Sequence, residues 1–404
     1  MEATKRDVIL VGGGHASIPL IKQAKKWSEQ GISVMLITAS QYLYYSGMVP
    51  EYLGGVYRRE QVRIDLQALC LAHNIEFRKA QVVGLEPEHR RLTTAKGDRY
   101  VCRLTVFDIG SRNPNLPGME NISPTKPLHK IERLEKFTEN HLLNPTESKK
   151  QHLVIVGGGA AGVEIALNIS ARVKAYQRHT SLKLTLIEEQ DRLLSRFPAS
   201  AGEYVSDWLQ KRGVDVRIKR KTTRIDKDQL VLDDDHTLPY DFGLWATGPT
   251  GQPIFAEAGL ECDQKQFLWI EDTLRHAEYP WLFAAGDCVR IRQLPDLEKL
   301  GIHAVKQGAQ LLHNVDAAVQ QMVEGNHPKD AELESFKPYP VAPVIISTGG
   351  KKAIWITSRT WFSGKSFLRL KHWLDARWIE DYQYPIDQKI ALSEKLHTRY
   401  ALKQ

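Results

Sequence analysis

The chain has 404 residues, 42% hydrophobic and 25% charged, with a formal net charge of +7 and a mean hydropathy of −0.37. That length supports two or three domains with a sizeable core, and the balance excludes a disulfide-stapled miniprotein, a disordered chain and a fibrous one. No apolar run reaches the roughly 18 residues needed to span a bilayer, and Cys70, Cys102, Cys262 and Cys288 are too scattered for a disulfide framework or a cysteine metal centre.

The first apolar stretch, after Lys5-Arg6, runs into three glycines instead of a leader cleavage site, so a cytoplasmic protein is expected. Residues 7–17 read Asp-Val-Ile-Leu-Val-Gly-Gly-Gly-His-Ala-Ser: a strand closing in Gly12-x-Gly14, with Ser17 where the third glycine of a dinucleotide fingerprint would stand. The pattern predicts a helix over 18–30 and a second strand over 32–38, a βαβ unit. Glycine suits such a turn because a missing Cβ lets a pyrophosphate approach the helix N-terminus, whose amides and dipole favour negative charge. With serine in third place this copy is a weak signal, and a tight turn without a ligand stays open. Thr38 ends the second strand and Ser40 follows, so a hydroxyl and not an acid faces any adenosine ribose. Thr38 as a plain strand end is equally compatible.

A second copy follows about 145 residues later. Leu153 to Val156 is apolar and leads into Gly157-Gly158-Gly159-Ala160-Ala161-Gly162, a complete GxGxxG. A helix over 162–176 and a strand over 182–187 are predicted next, ending at Glu188. A carboxylate there hydrogen-bonds a ribose 2′-hydroxyl and repels a 2′-phosphate, which favours NADH over NADPH. Arg192, four residues on, leaves a phosphate-binding alternative open. Two such fingerprints point to two Rossmann-like dinucleotide-binding domains in an α/β chain.

Three further segments carry a resemblance: Phe107-Asp108-Ile109-Gly110-Ser111-Arg112, Leu244-Trp245-Ala246-Thr247-Gly248 and Leu282-Phe283-Ala284-Ala285-Gly286-Asp287. With the two fingerprints, over about residues 7–325, they resemble the two-dinucleotide flavoproteins of the pyridine nucleotide-disulfide reductase superfamily. The resemblance implies FAD and NADH as cofactors, with a discontinuous FAD domain (1–120 and 250–325) and the NAD domain (121–249) inserted. It implies flavin contacts from Gly12, Gly14, His15, Ala16, Thr38, Val82, Gly110, Arg112, Gly286 and Asp287, the last on the ribityl chain. NADH contacts fall on Gly157, Gly159, Gly162, Glu188 and Gly248. Hydride transfer between stacked rings then needs proximity and exclusion of water more than a protein acid or base.

Where the superfamily's disulfide reductases and peroxidases place a redox cysteine, this chain reads Tyr44-Tyr45-Ser46-Gly47-Met48-Val49-Pro50. A serine hydroxyl cannot cycle through thiolate and disulfide, so electrons must leave a flavin directly to a diffusible acceptor. The remaining resemblance is to type II NADH dehydrogenases and, through GGGHA and Tyr-Ser-Gly-Met-x-Pro, to the flavoprotein half fused to some selenophosphate synthetases. It implies a quinone as acceptor, and a helix start at His303-Ala304-Val305-Lys306-Gln307-Gly308 that presents Ala304 to the flavin, with Lys306 adding positive charge. The Ala-Gln pair usual in the type II enzymes aligns with Gly301-Ile302. Glu164, Lys306 and Tyr45 are the candidate catalytic residues: Glu164 to orient a nicotinamide or relay a proton, Tyr45 to flank the flavin or acceptor. Glu164 as a simple complement to a helix dipole and Tyr45 as core are the structural alternatives. No metal site is expected.

The last region, 326–404, is expected to be a small α+β piece. Strands are predicted over 341–347 and 353–357, and a helix over 366–382 with Phe367, Leu370, Leu374 and Trp378 on one face. Residues 351–378 hold seven basic residues, one acid and four of the nine tryptophans. That composition suits packing on the flavin domain, a homodimer contact, or a membrane surface, where interfacial Trp and Lys/Arg are favoured. A peripheral place on the inner membrane face, close to a lipid-soluble quinone, is therefore expected. Two alternatives remain: a soluble NAD(P)H diaphorase with another small-molecule or protein acceptor, and a nucleotide-sensing protein that binds through its basic patch. No nucleic-acid motif accompanies the patch, and no nucleic-acid partner is expected.

Overall fold

The computed structural model describes residues 3–126, 128–143, 150–177 and 182–383. Its first sheet runs Glu76–Lys79, Val34–Thr38, Thr4–Val11 and Arg99–Phe107, all parallel, with Leu282–Ala284 added in parallel beside residues 105–107. Val8–Val11 and Val34–Ile37 are buried on both faces, as unbroken β-branched and leucine runs between helices should be. An antiparallel hairpin, Val82–Glu86 with Arg91–Thr94, extends the other end of Arg99–Phe107. The helix Ile18–Glu29 covers one face and packs on the long helix Gly301–Val323, where Trp27 Nε1 and Gln23 Nε2 both donate to Asp316 at 2.7 and 3.0 Å.

The second sheet is Asp215–Arg217, Leu182–Ile187, Gln151–Val156, Phe242–Trp245 and Ser123–Pro124, again parallel. A three-stranded meander, Thr222–Ile225, Gln229–Leu232 and Thr237–Pro239, is attached to it. In both sheets a glycine turn stands at the carboxyl end of a central strand, where open α/β sheets bind ligands.

The C-terminal region is an antiparallel sheet, Val344–Ser347, Ala353–Ile356 and Trp361–Gly364, running directly into the helix Lys365–Glu380. The third strand was not foreseen, because Trp361-Phe362-Ser363-Gly364 is too short for its alternation to register. The helix face also differs from the expected one. Leu368, Lys371, His372, Asp375 and Ile379 are buried, while Leu370, Trp373 and Leu374 are exposed. Polar residues turn inward because carboxylates from two other elements wait for them. Residues 384–404 lie outside the described part. No helix among the described residues is long and apolar enough to cross a membrane.

Candidate functional site

The first glycine turn is built on backbone that only glycine tolerates. Gly12 has φ +89°, and a Cβ there would meet the Asp108 carbonyl at 2.3 Å. Ser17, in the third-glycine place, turns its hydroxyl back to the carbonyls of Gly12 and Gly14, both at 3.1 Å. The amides of Ala16 and Ser17 donate to Asp108 Oδ2, each at 2.8 Å. Asp108 directly follows the neighbouring strand Arg99–Phe107, and its role in the turn is a contact across 92 residues of chain, which no local pattern reveals. Burial pushes its carboxyl up to about 7.

Asp287 faces the same turn. Burial alone would raise its carboxyl, but Lys126, with Lys299 and His15 behind it, holds it below the ordinary carboxylate range. Lys126 arrives from just beyond Ser123–Pro124, the edge strand of the second sheet, and pairs with Asp287. Nothing in its sequence surroundings marked it. Burial pushes Lys299 down to about 8, so it keeps most of its charge at neutral pH. His15 is pushed down to about 4, again mainly by burial, so its imidazole is uncharged at neutral pH.

The second turn differs in kind. Its helix, Ala160–Ala175, has no side-chain cap and no acid in its first turn, and Gly159 and Gly248 have open space where a Cβ would be. Gly162 does pack tightly: a Cβ there would stand 1.9 Å from the Gly157 carbonyl. Glu188 lies beside the turn, its carboxylate accepting from Gly158 N at 2.5 Å and Gln190 N at 2.8 Å. Arg192 spends its guanidinium on the carbonyls of Leu194, Ser195 and Phe197 in its own loop.

Between the turns lies a buried polar cluster. Glu164 falls beyond the first helical turn, so it does not serve the helix dipole as a first-turn acid. Its Oε1 accepts from Ser347 N at 2.8 Å and lies 3.9 Å from Lys371 Nζ. Burial pushes its carboxyl up to about 7, against the opposing pull of Lys371. Lys371 Nζ also sits 3.0 Å from Asp375 and 3.9 Å from Glu51, and donates to the Gly47 carbonyl at 2.5 Å. Burial works against its charge, yet Asp375, Glu164 and Glu51 hold it well above the ordinary lysine value. His372 Nε2 bonds Glu51 Oε1 at 2.8 Å. Lys371 and His372 therefore belong to this junction and not to a basic outer surface.

Aromatic rings close the same region. Trp378 stacks on Tyr45 at 4.4 Å and on His15 at 5.2 Å between centroids, so the C-terminal helix reaches the first glycine turn. Burial, then Asp375, raises the Tyr45 hydroxyl. Tyr44 is core, its hydroxyl bonded to Glu132.

The other candidates are spread around this centre. The helix Gly301–Val323 begins beside Asp287; Ala304 and Gln307 line a small cavity with Gly286 and Asp287, and Gln307 accepts from Gly286 N at 2.7 Å. Lys306 points elsewhere, its ammonium 4.0 Å above the Tyr339 ring. Thr38 is buried at its strand end, and its carbonyl takes the Ala80 amide two residues before Val82. Gly110 has φ +64° and open space around it, while Arg112 bridges to Thr250 through backbone bonds and to Gln266 through its guanidinium at 3.1 Å. None of the thiols is activated: burial pushes Cys70, Cys102 and Cys288 up to about 12 and Cys262 to about 11, and Cys288, next to Asp287, donates to the Ala285 carbonyl at 3.2 Å.

Known proteins share the fold that carries this site. The chain is 24% identical over 331 residues to the mitochondrial external alternative NAD(P)H-ubiquinone oxidoreductase B3 of Arabidopsis thaliana, covering 73% of this chain and 57% of that one. It thus spans little more than half the length of that relative. It is 24% identical over 330 residues to the type II NADH:quinone oxidoreductase of Haemophilus influenzae, covering 71% and 74%. The fold matches that of NDH2 from Plasmodium falciparum, solved in complex with NADH, at a TM-score of 0.76 and 13% identity, over 98% and 97% of the two chains. The model of the pyridine nucleotide-disulphide oxidoreductases matches residues 6–329, four-fifths of the chain, and the protein belongs to that family.

Proposed function

We propose that the protein is an FAD-dependent NADH:quinone oxidoreductase that works without a redox-active cysteine. The observation that carries this reading is the meeting of two glycine turns, one from each parallel sheet, around a buried cluster that contains acids, a lysine and aromatic rings but no thiol. The relatives named for NADH and quinone chemistry support it. When bound, FAD supplies hydride acceptance from NADH and two-electron delivery to the acceptor.

The residues present fit both dinucleotides. Gly12 and Gly14 leave the first turn's backbone bare, with Asp108 packed against both, and Asp287 offers a charged acceptor to a ribityl hydroxyl. Gly12, Gly14, His15 and Ala16 would hold the flavin diphosphate, with the helix start at Ala304 toward the ring. Thr38, Val82, Gly110 and Arg112 complete the flavin contacts of this reading. Gly157, Gly159, Gly162 and Gly248 would form the NADH cradle, and Glu188 would take the ribose. With Arg192 bound to its own loop, NADH is favoured over NADPH.

Glu164 is part protonated near neutral pH and, linked through Lys371 to Asp375 and Tyr45, can pass that proton towards a quinone that gains two electrons. Trp378, Tyr45 and His15 exclude water from that side. Lys306 would act only through the field it adds at the helix. The exposed side of the helix Lys365–Glu380 carries Leu370, Trp373 and Leu374 beside Lys365, Arg369 and Arg377. In this reading that side lies on an anionic membrane surface, which holds the protein peripherally beside its quinone.

The test is direct. The purified protein should be yellow, lose its flavin absorbance on anaerobic addition of NADH, and regain it on addition of a short-chain quinone. A colourless protein that takes up no flavin contradicts the proposal.

A further inference from the structure

We propose that Asp108 holds the phosphate seat of the first glycine turn and yields it to FAD with the uptake of one proton from solvent. This inference rests on the flavoprotein reading and adds to it a residue that controls cofactor loading.

The geometry is specific. In a dinucleotide turn the second glycine lacks a Cβ so that the backbone can meet the pyrophosphate. Here the vacant Cβ direction of Gly14 points at the Asp108 carboxylate, whose nearest oxygen would be 2.3 Å away. The helix-start amides of Ala16 and Ser17, the natural anion donors of such a turn, are both given to Asp108 Oδ2. The loop after Leu282–Ala284 closes on the same group: a Cβ on Gly286 would stand 2.6 Å from Asp108 Oδ1. The chain's own carboxylate thus stands where the ligand's phosphate is expected.

A diphosphate cannot share that seat with a carboxylate cheaply. Asp108 is buried and, among the described residues, has no ion pair. The groups facing it add no positive charge that is free to compensate. Asp287 is a second acid, the Cys288 thiol is neutral, and the His15 ring is uncharged at neutral pH. Lys126 and Lys299 are both engaged around Asp287. Burial already brings Asp108 to about 7, so bringing up a dianion moves the carboxyl to its neutral form. The neutral acid releases the two amides to the phosphate, and the proton stays on Asp108.

The sign follows from linkage: a ligand that raises the affinity of a group for protons binds more weakly as pH rises. FAD should bind about tenfold or more weakly at about pH 8.5 than at about pH 6. Holoprotein dialysed at each pH gives the dissociation constant from released flavin fluorescence. Calorimetry of FAD reloading in two buffers of different ionisation enthalpy counts the proton without any variant, and about one proton taken up near pH 7.5 is expected. Asp108→Asn, which keeps the shape without the charge, should bind FAD with equal strength at both pH values and more tightly than the wild type at the higher one. Affinity of the wild type independent of pH, no proton uptake, or an Asn variant weaker at both pH values would each overturn the inference while leaving a flavoprotein. A wild-type chain that takes up no FAD at either pH overturns the flavoprotein reading, and the inference with it.

Discussion

Glu164 shows how burial and partners decide a residue's chemistry. Its carboxyl at about 7 gives the protein an acid that is part protonated at neutral pH. If that proton serves the quinone, kcat should fall as pH rises through about 7, and Glu164→Gln should lower kcat by about 100-fold and flatten that limb. A Gln variant that keeps the wild-type pH profile would remove Glu164 from the mechanism. For stability, a carboxyl raised above its unfolded value contributes fully at low pH and loses that contribution as pH rises through about 7. Lys371 offsets this loss. Lys371→Met leaves Glu51, Glu164 and Asp375 buried together, and urea unfolding should show a loss of about 3 to 5 kcal/mol; a loss under about 1 kcal/mol would mean the cluster is not held by its lysine. Gly157 to Gly162 and Glu188 were legible in the sequence because a fingerprint is a local pattern. The partnerships of Asp108 with Ala16 and of Lys371 with Glu164 were not, since each joins residues far apart in the chain with no spacing to betray them.

The helix Lys365–Glu380 carries the clearest difference between pattern and fold. Hydrophobic periodicity selects Phe367, Leu370, Leu374 and Trp378 as the packed face. The helix instead buries Lys371, His372 and Asp375, because Glu51 and Glu164 supply their partners. The rotation leaves Leu370, Trp373 and Leu374 outward between Lys365, Arg369 and Arg377. Reversing those three charges to glutamate should weaken binding to vesicles containing anionic lipid by about 100-fold or more, at about 1 kcal/mol for each cation. Co-sedimentation measures this, and unchanged binding would place the membrane contact elsewhere. Trp378 joins this element to the first glycine turn through Tyr45 and His15. Trp378→Ala should raise KM for the quinone by about tenfold and expose the flavin to iodide quenching, at a stacking cost of about 1 kcal/mol.

At the scale of the molecule, the α/β class with two parallel sheets was legible because apolar strands, glycine turns and helices recur in the same order twice. The absence of the redox cysteine carried by the superfamily's disulfide reductases and peroxidases was legible because Tyr45-Ser46-Gly47-Met48 stands in its place. What the sequence could not carry was the junction, where Lys126 from one sheet's edge meets Asp287 of the other and the C-terminal helix reaches the first turn through Trp378 and Glu164, on the helix after the second turn, through Lys371. That junction is where the proposed function places electron transfer from NADH through flavin to quinone, with no cysteine taking part in the redox chemistry. It is tested most directly by anaerobic stopped-flow mixing of NADH with holoprotein pretreated under mild denaturant with a thiol-alkylating reagent and returned to buffer, followed by addition of quinone. The account predicts that the flavin absorbance bleaches with NADH and returns with quinone, at rates unchanged by alkylation of refolded protein that has kept its flavin. Loss of either phase on alkylation, or no bleaching by NADH at all, would contradict it.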